Sequence, residues 1–188
     1  LELTHPVFST RAMRDADLAT IEEFGIPGIT LMESASRAAA ELIQDRFGIR
    51  AGSNVLILAG HGNNGGDGLA LARILAGRQV SVTVVTTAAP GASSPEAELN
   101  LKLLATMLRE GGCDLRVLGP EAPVSELAKE ADLVVDALLG IGVTGRLREP
   151  IRSLALACGA ASQVVAIDIP TGVDSDRGVC MDEAAVRA

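Results

Sequence analysis

Five short runs rich in Val, Ile and Leu recur along the chain: "NVLILAG", "QVSVTVVT", "LRVLG", "ADLVVDALLG" and "SQVVAIDIP". Each is bounded by turn residues and separated from the next by a stretch with helical character. Near-continuous apolar runs make strands that are buried on both faces, and helices between successive strands set those strands parallel with right-handed crossovers. The fold expected is therefore α/β, a three-layer αβα Rossmann-like sandwich with a mostly parallel sheet. Helices are expected from Gly66 to Ala76, Pro95 to Glu110, Val124 to Glu130 and Glu149 to Cys158.

Two further helices are expected before the first strand. Thr10 reads as the N-cap of "RAMRDADLATIEEF", which stops at Gly25, Pro27 and Gly28. In "ITLMESASRAAAELIQDRFG" the apolar spacing places Leu31, Ala35, Ala38, Leu42 and Ile43 on one face, and Gly48 ends the helix. An extended or unstructured start, containing His5, precedes them. "TTAAPGASSPEAE" is small and polar enough for a mobile loop. No linker or internal repeat divides the 188 residues, so residues 1–188 are expected to form one domain around one core.

Several function classes are disfavoured by composition. No apolar run approaches the roughly 20 residues of a membrane span, and the start has no signal-peptide pattern. Cys113, Cys158 and Cys180 are odd in number and form no ligand cluster, which suits a reducing, cytoplasmic compartment. A formal charge of −8, with no Trp or Tyr, argues against nucleic acid, whose binding relies on basic grooves and aromatic stacking.

Three loops carry more chemistry than a connection requires: "GHGNNGGDG", "DALLGIGVTGRLREP" and "DIPTGVDSDRG". Each follows a strand, and ligands of open α/β sheets bind beyond the strands' carboxyl ends. Gly60, Gly62 and Gly65 have GxGxxG spacing, a weak signal alone. It serves either close approach to a phosphate or a tight strand-to-helix turn. The second strand ends "VVTTAAP", without the ribose-binding acid of a standard NAD-dependent dehydrogenase. Asp136 and Asp168 sit near the ends of apolar strands, where a carboxylate needs a hydrogen bond or a cation. Each alone reads equally as a loop brace or as a functional group. His61 is the only histidine near these loops and reads as a solvated loop residue.

Taken in order, "LMESASRAA", "NNGGDG", "DALLGIGVTGRLREP" and "DIPTGVD" resemble the YjeF N-terminal domain family of NAD(P)H-hydrate epimerases, over about Met13 to Gly178. The resemblance implies interconversion of the R and S forms of NADHX and NADPHX, the hydrated reduced nicotinamide cofactors. It also implies functional coupling to an NAD(P)H-hydrate dehydratase, often fused on the C-terminal side, and a homodimer as the common assembly. The residues carried over for substrate contact are Asn63, Asn64, Gly65, Gly66, Asp67, Asp168 and the run Gly140, Ile141, Gly142, Val143, Thr144, Gly145 and Arg146. A potassium ion, K+, is implied at Asn64, Asp136 and Thr171, and the family usually has Ser at the last position. Family members continue past "DEAAVRA" into another strand, so an incomplete sheet edge is expected.

Asp168 is expected to be catalytic, beside a planar cation formed when the ring nitrogen expels the hydroxyl from its neighbouring carbon. A branched side chain at Gly65 or Gly66 is expected to block phosphate with only moderate loss of stability. The alternative reading is a non-catalytic nucleotide- or protein-binding module, which would not need "NNGGDG", Asp136 and Asp168 together. A redox enzyme using NAD as cosubstrate is disfavoured by the missing ribose acid.

Overall fold

The structure, a computed structural model, describes residues 8–188. The expected unstructured start, with His5, lies outside the described residues. The order of elements is α1 (Thr10–Glu22), α2 (Gly28–Phe47), β1 (Asn54–Ala59), α3 (Asn63–Gly77), β2 (Ser81–Thr86), α4 (Pro95–Glu110), β3 (Leu115–Leu118), α5 (Val124–Glu130), β4 (Leu133–Ala137), α6 (Ile151–Ala157) and β5 (Val164–Ala166). All five strands are parallel, in the order β3-β2-β1-β4-β5. On its outer side β5 has no neighbouring strand among the described residues.

The alternation of β1 divides the core. Val55, Ile57 and Ala59 face a layer containing α2, α3 and α4, while Leu56 and Leu58 face a layer containing α5 and α6. Both clusters are buried, which is why the strands read as continuous apolar runs.

Three boundaries differ from the sequence reading. Ser9, one residue before the expected Thr10, caps α1 by accepting the Ala12 N–H at 3.2 Å. Helix α3 begins at Asn63, so most of the glycine-rich stretch is helical rather than a free loop. Helix α6 is shorter than expected, ending at Ala157 before a 3-10 turn at Cys158–Ala160.

The buried face of α2 also differs. Met32, Ser36, Ala40 and Ile43 point inward, while Ala35, Ala38 and Leu42 are exposed. Only Ile43 is shared with the expected face. The reason is that α2 lies against a glycine-rich helix, where small residues permit close approach. Ser36 can be buried there because its hydroxyl donates to the Asp67 carbonyl at 3.1 Å.

Candidate active site

The strand order decides where a site can form. From β1 the chain winds outward through β2 and β3, then returns to place β4 on the other side of β1. This reversal opens a crevice beyond the carboxyl ends of β1 and β4. Residues after β1, after β4 and after β5 converge there on a cavity of about 570 Å³ that includes Asn63, Asn64, Asp67, Gly140, Ile141 and Asp168. Volumes of this order suit a small-molecule ligand.

Asp136, the penultimate residue of β4, is fully buried at 0% exposure. Its Oδ1 accepts the Leu138 N–H at 3.1 Å and the Thr171 hydroxyl at 2.8 Å, and its Oδ2 accepts the Thr171 N–H at 2.7 Å. Burial drives its carboxyl above the usual carboxylate range, opposed by these three donors. Thr171 Oγ1 also accepts the Leu139 N–H at 3.1 Å, tying the loop after β5 to the loop after β4. None of these donors carries a formal charge.

Asp168 lies three residues before Thr171, exposed at the cavity wall, and its Oδ2 accepts the Ile141 N–H at 2.8 Å. A side chain at Gly140 would collide with this carboxylate and would come within 3.3 Å of the Asn64 Cβ. Asn64 is only 9% exposed, and both its amide atoms are buried without a hydrogen-bond partner among the described residues. Asn64, Asp136, Asp168 and Thr171 thus meet at one end of the sheet.

Not every candidate faces the cavity. Asn63, Asn64 and Asp67 line it, whereas Gly65 and Gly66 are buried and turned elsewhere. A Cβ at Gly65 would strike the Gly60 carbonyl, and one at Gly66 would lie 2.6 Å from the Met32 Cε. These two glycines therefore seat α3 against the end of β1 and against α2, which corrects the expectation that a branched side chain there would cost only moderate stability. Within the second loop Gly140 to Val143 line the cavity, and Thr144 faces an adjoining groove beside Thr10 and Arg11. Arg146 faces a separate groove with Arg152 and Asp182, and Gly145, at φ +87°, lines none of the three. Residues 140–146 run as an irregular loop with a turn at Ile141 and Gly142, and only the first four of them line this cavity.

The sequence reading placed α1 but gave it no part in the site. Met13, Arg14 and Asp17 line the cavity, and Arg14 Nη2 donates to the Ile141 carbonyl at 3.3 Å. The helix is tied to the loop after β5 by the Thr10 N–H donating to Asp176 Oδ1 at 2.7 Å. An Arg and an Asp three residues apart on one helix face were the available signal. Such a pair is also what a solvated helix shows.

Residues 28–188 match the family model described as "YjeF-related protein N-terminus". The chain belongs to this YjeF_N family. Relatives include the NAD(P)H-hydrate epimerase of Rhodopirellula baltica, 38% identical over 92% of this chain and 68% of that protein. Another, the NAD(P)H-hydrate epimerase of Limosilactobacillus fermentum, is 34% identical over 97% of this chain and 82% of its own length. The bifunctional NAD(P)H-hydrate repair enzyme Nnr of Salinibacter ruber is 44% identical over 99% of this chain, and the YjeF_N chain spans 35% of that longer protein. The crystal structure of yeast ynu0 superposes with a TM-score of 0.83 at 24% identity, covering 97% of this chain and 77% of the yeast chain, which establishes the shared fold. The α1 residues Arg14 and Asp17 lie before the family-matched range and still reach the cavity.

Proposed function

We propose that this YjeF_N domain is an NAD(P)H-hydrate epimerase that interconverts the R and S forms of NADHX and NADPHX. The observation that carries the reading is the meeting of Asp168, Asn64 and Asp67 around one cavity at the switch point of a parallel sheet. The nucleotide's phosphates face the start of α3, where Gly62 leaves the helix without a side-chain cap and nothing lies within 4 Å of its missing Cβ. Uncapped N–H groups and the helix dipole favour an anion at that end.

The nicotinamide end faces Asp168. In the substrate the hydroxylated carbon adjoins the ring nitrogen, whose lone pair helps expel the hydroxyl and leaves a planar cation. Asp168, held by the Ile141 N–H, presents negative charge to that cation and is placed to exchange a proton with water. Epimerisation follows when water adds to the face opposite the one the hydroxyl left.

The buried residues fit a potassium ion. Among the described residues Asp136 has no cationic partner for its fully buried carboxylate, and the Asn64 amide has no hydrogen-bond partner. Asn64, Asp136 and Thr171 would supply oxygen ligands of the kind a hard cation takes. A bound K+ would supply the positive charge that offsets the buried Asp136 carboxylate. Thr171 keeps the hydroxyl that Ser provides in the family.

The domain works with an NAD(P)H-hydrate dehydratase that consumes the S form, in a reducing, cytoplasmic setting suited to the free thiols of Cys113, Cys158 and Cys180. The test is to supply pure R epimer with an excess of S-specific dehydratase and follow the absorbance of recovered NAD(P)H. The domain should accelerate recovery well beyond the dehydratase-only control. Recovery at the control rate would remove the epimerase reading.

A further inference from the structure

Hydroxide is a poor leaving group, so expelling it requires a proton. The titratable side chains lining the cavity are Arg14, Asp17, His61, Asp67 and Asp168. A guanidinium does not give up a proton at neutral pH, and Arg14 is engaged with the Ile141 carbonyl. Asp17 and His61 are exposed at the rim, and Asp168 accepts a backbone N–H. Asp67 differs from all of these. It projects from the second turn of α3 into the cavity, only partly exposed, and among the described residues its carboxyl has neither an ion pair nor a hydrogen-bond donor.

The groups facing Asp67 are mainly acidic. Asp17 on α1 and Asp168 after β5 share its cavity, and Glu96 on α4 shares a neighbouring groove with Asp67 and Asp17. Arg14 and His61 are the cationic or titratable exceptions. A carboxyl among like charges, without a donor, holds its proton. Burial first, then the charges of Asp168 and Asp17, push Asp67 up to about 7. Two carboxyl groups in one site whose surroundings differ in this way are suited to opposite proton-transfer roles.

We infer that Asp67 is a second catalytic residue of this site, the acid that protonates the departing hydroxyl while Asp168 receives the proton of the incoming water. The inference rests on the epimerase reading. In the forward step the Asp67 proton passes to the hydroxyl oxygen, the C–O bond breaks with its electron pair going to that oxygen, and water leaves. The ring-nitrogen lone pair becomes the second bond of C=N. Water then adds to the opposite face, the C=N pair returns to nitrogen, and the surplus proton passes to Asp168. Exchange with solvent reprotonates Asp67 and deprotonates Asp168.

The experiment combines a coupled epimerase assay across pH with a 13C NMR titration of the Asp67 carboxyl in the full chain. The NMR midpoint should lie near 7, and kcat should fall as pH rises through that midpoint. Asp67→Asn should lower kcat by roughly 100-fold or more, the usual scale of general acid catalysis, while equilibrium dialysis shows oxidised NADP still retained. Asp17→Asn, on an exposed helix face, should move the alkaline fall to lower pH by removing one of the charges that keep the proton on Asp67. A midpoint below about 5, the ordinary carboxylate range, would overturn the inference. So would an Asp67→Asn enzyme that keeps more than half the wild-type kcat. A wild-type chain that fails to epimerise would instead sink the epimerase reading, with the NMR midpoint still deciding whether Asp67 holds a proton.

Discussion

Gly65→Ala separates the architectural glycines of the loop from those that face the ligand. The added methyl would overlap the Gly60 carbonyl and sit 2.8 Å from the Gly60 nitrogen. Neither atom belongs to a flexible side chain, and Gly60 is itself anchored, its N–H donating to the Ala137 carbonyl at 3.0 Å. Relief requires shifting α3 from the end of β1. Overpacking of this kind costs about 1–3 kcal/mol, and loosening the Gly60 hydrogen bond adds about 1 kcal/mol. Replacing Gly by Ala inside a helix returns about 1 kcal/mol. The net expectation is a loss of about 2 kcal/mol, read from the midpoint of urea denaturation at constant m. Gly62→Val is the companion, since it borders the cavity and has nothing within 4 Å of its missing Cβ. Its stability should stay near that of the wild type while nucleotide retention in equilibrium dialysis falls. A Gly65→Ala chain within ~0.5 kcal/mol of wild type, the ordinary range of innocuous surface changes, would refute the packing role given to Gly65.

The other predictions concern the polar residues. Thr171→Val removes the hydroxyl that donates to Asp136 and accepts from Leu139, and should lower stability by about 1–3 kcal/mol; Thr171→Ser should stay close to wild type, and equal losses in the two would contradict the hydrogen-bonding account. Replacing potassium with tetramethylammonium should lower Tm, because an ion bound only by the folded state stabilises it by mass action, and superimposable melting curves would count against the cation site. Raising the Asp67 carboxyl from 3.8 to about 7 on folding means that the folded state binds the extra proton, so its contribution to stability is complete below 3.8 and is lost as pH rises to about 7. Asp67→Asn should therefore gain stability relative to wild type as pH increases over that interval, and a constant difference in Tm would be inconsistent with it. Asp168→Ala should reduce epimerase turnover much more than NADP retention, and equal loss of both would leave the assignment of Asp168 without support.

What the sequence determined by itself is what depends on residues near one another in the chain. The apolar runs from Val55 and from Leu133 are long enough to be strands and too continuous for a one-sided sheet, so β1 and β4 could be read with the fold class. Pro95 to Glu110 could be read because a Pro in its first turn and Gly111 beyond its last mark both ends. The placement of Asp136 and Asp168 near strand ends was legible for the same reason, and the parallel order brings those ends together.

The tertiary structure alone decided which side of each helix faces what. The inward face of α2 was misread because Ser36 and Ala40 are chosen for proximity to α3, a contact that an apolar periodicity does not record. The need for glycine at Gly65 and Gly66 likewise follows from their packing against Gly60 and Met32. The raised pKa of Asp67 has the same origin. Its cause is burial together with Asp17, 50 positions earlier, and Asp168, 101 positions later, and charge repulsion acts through distance in space, which the order of residues along the chain does not contain.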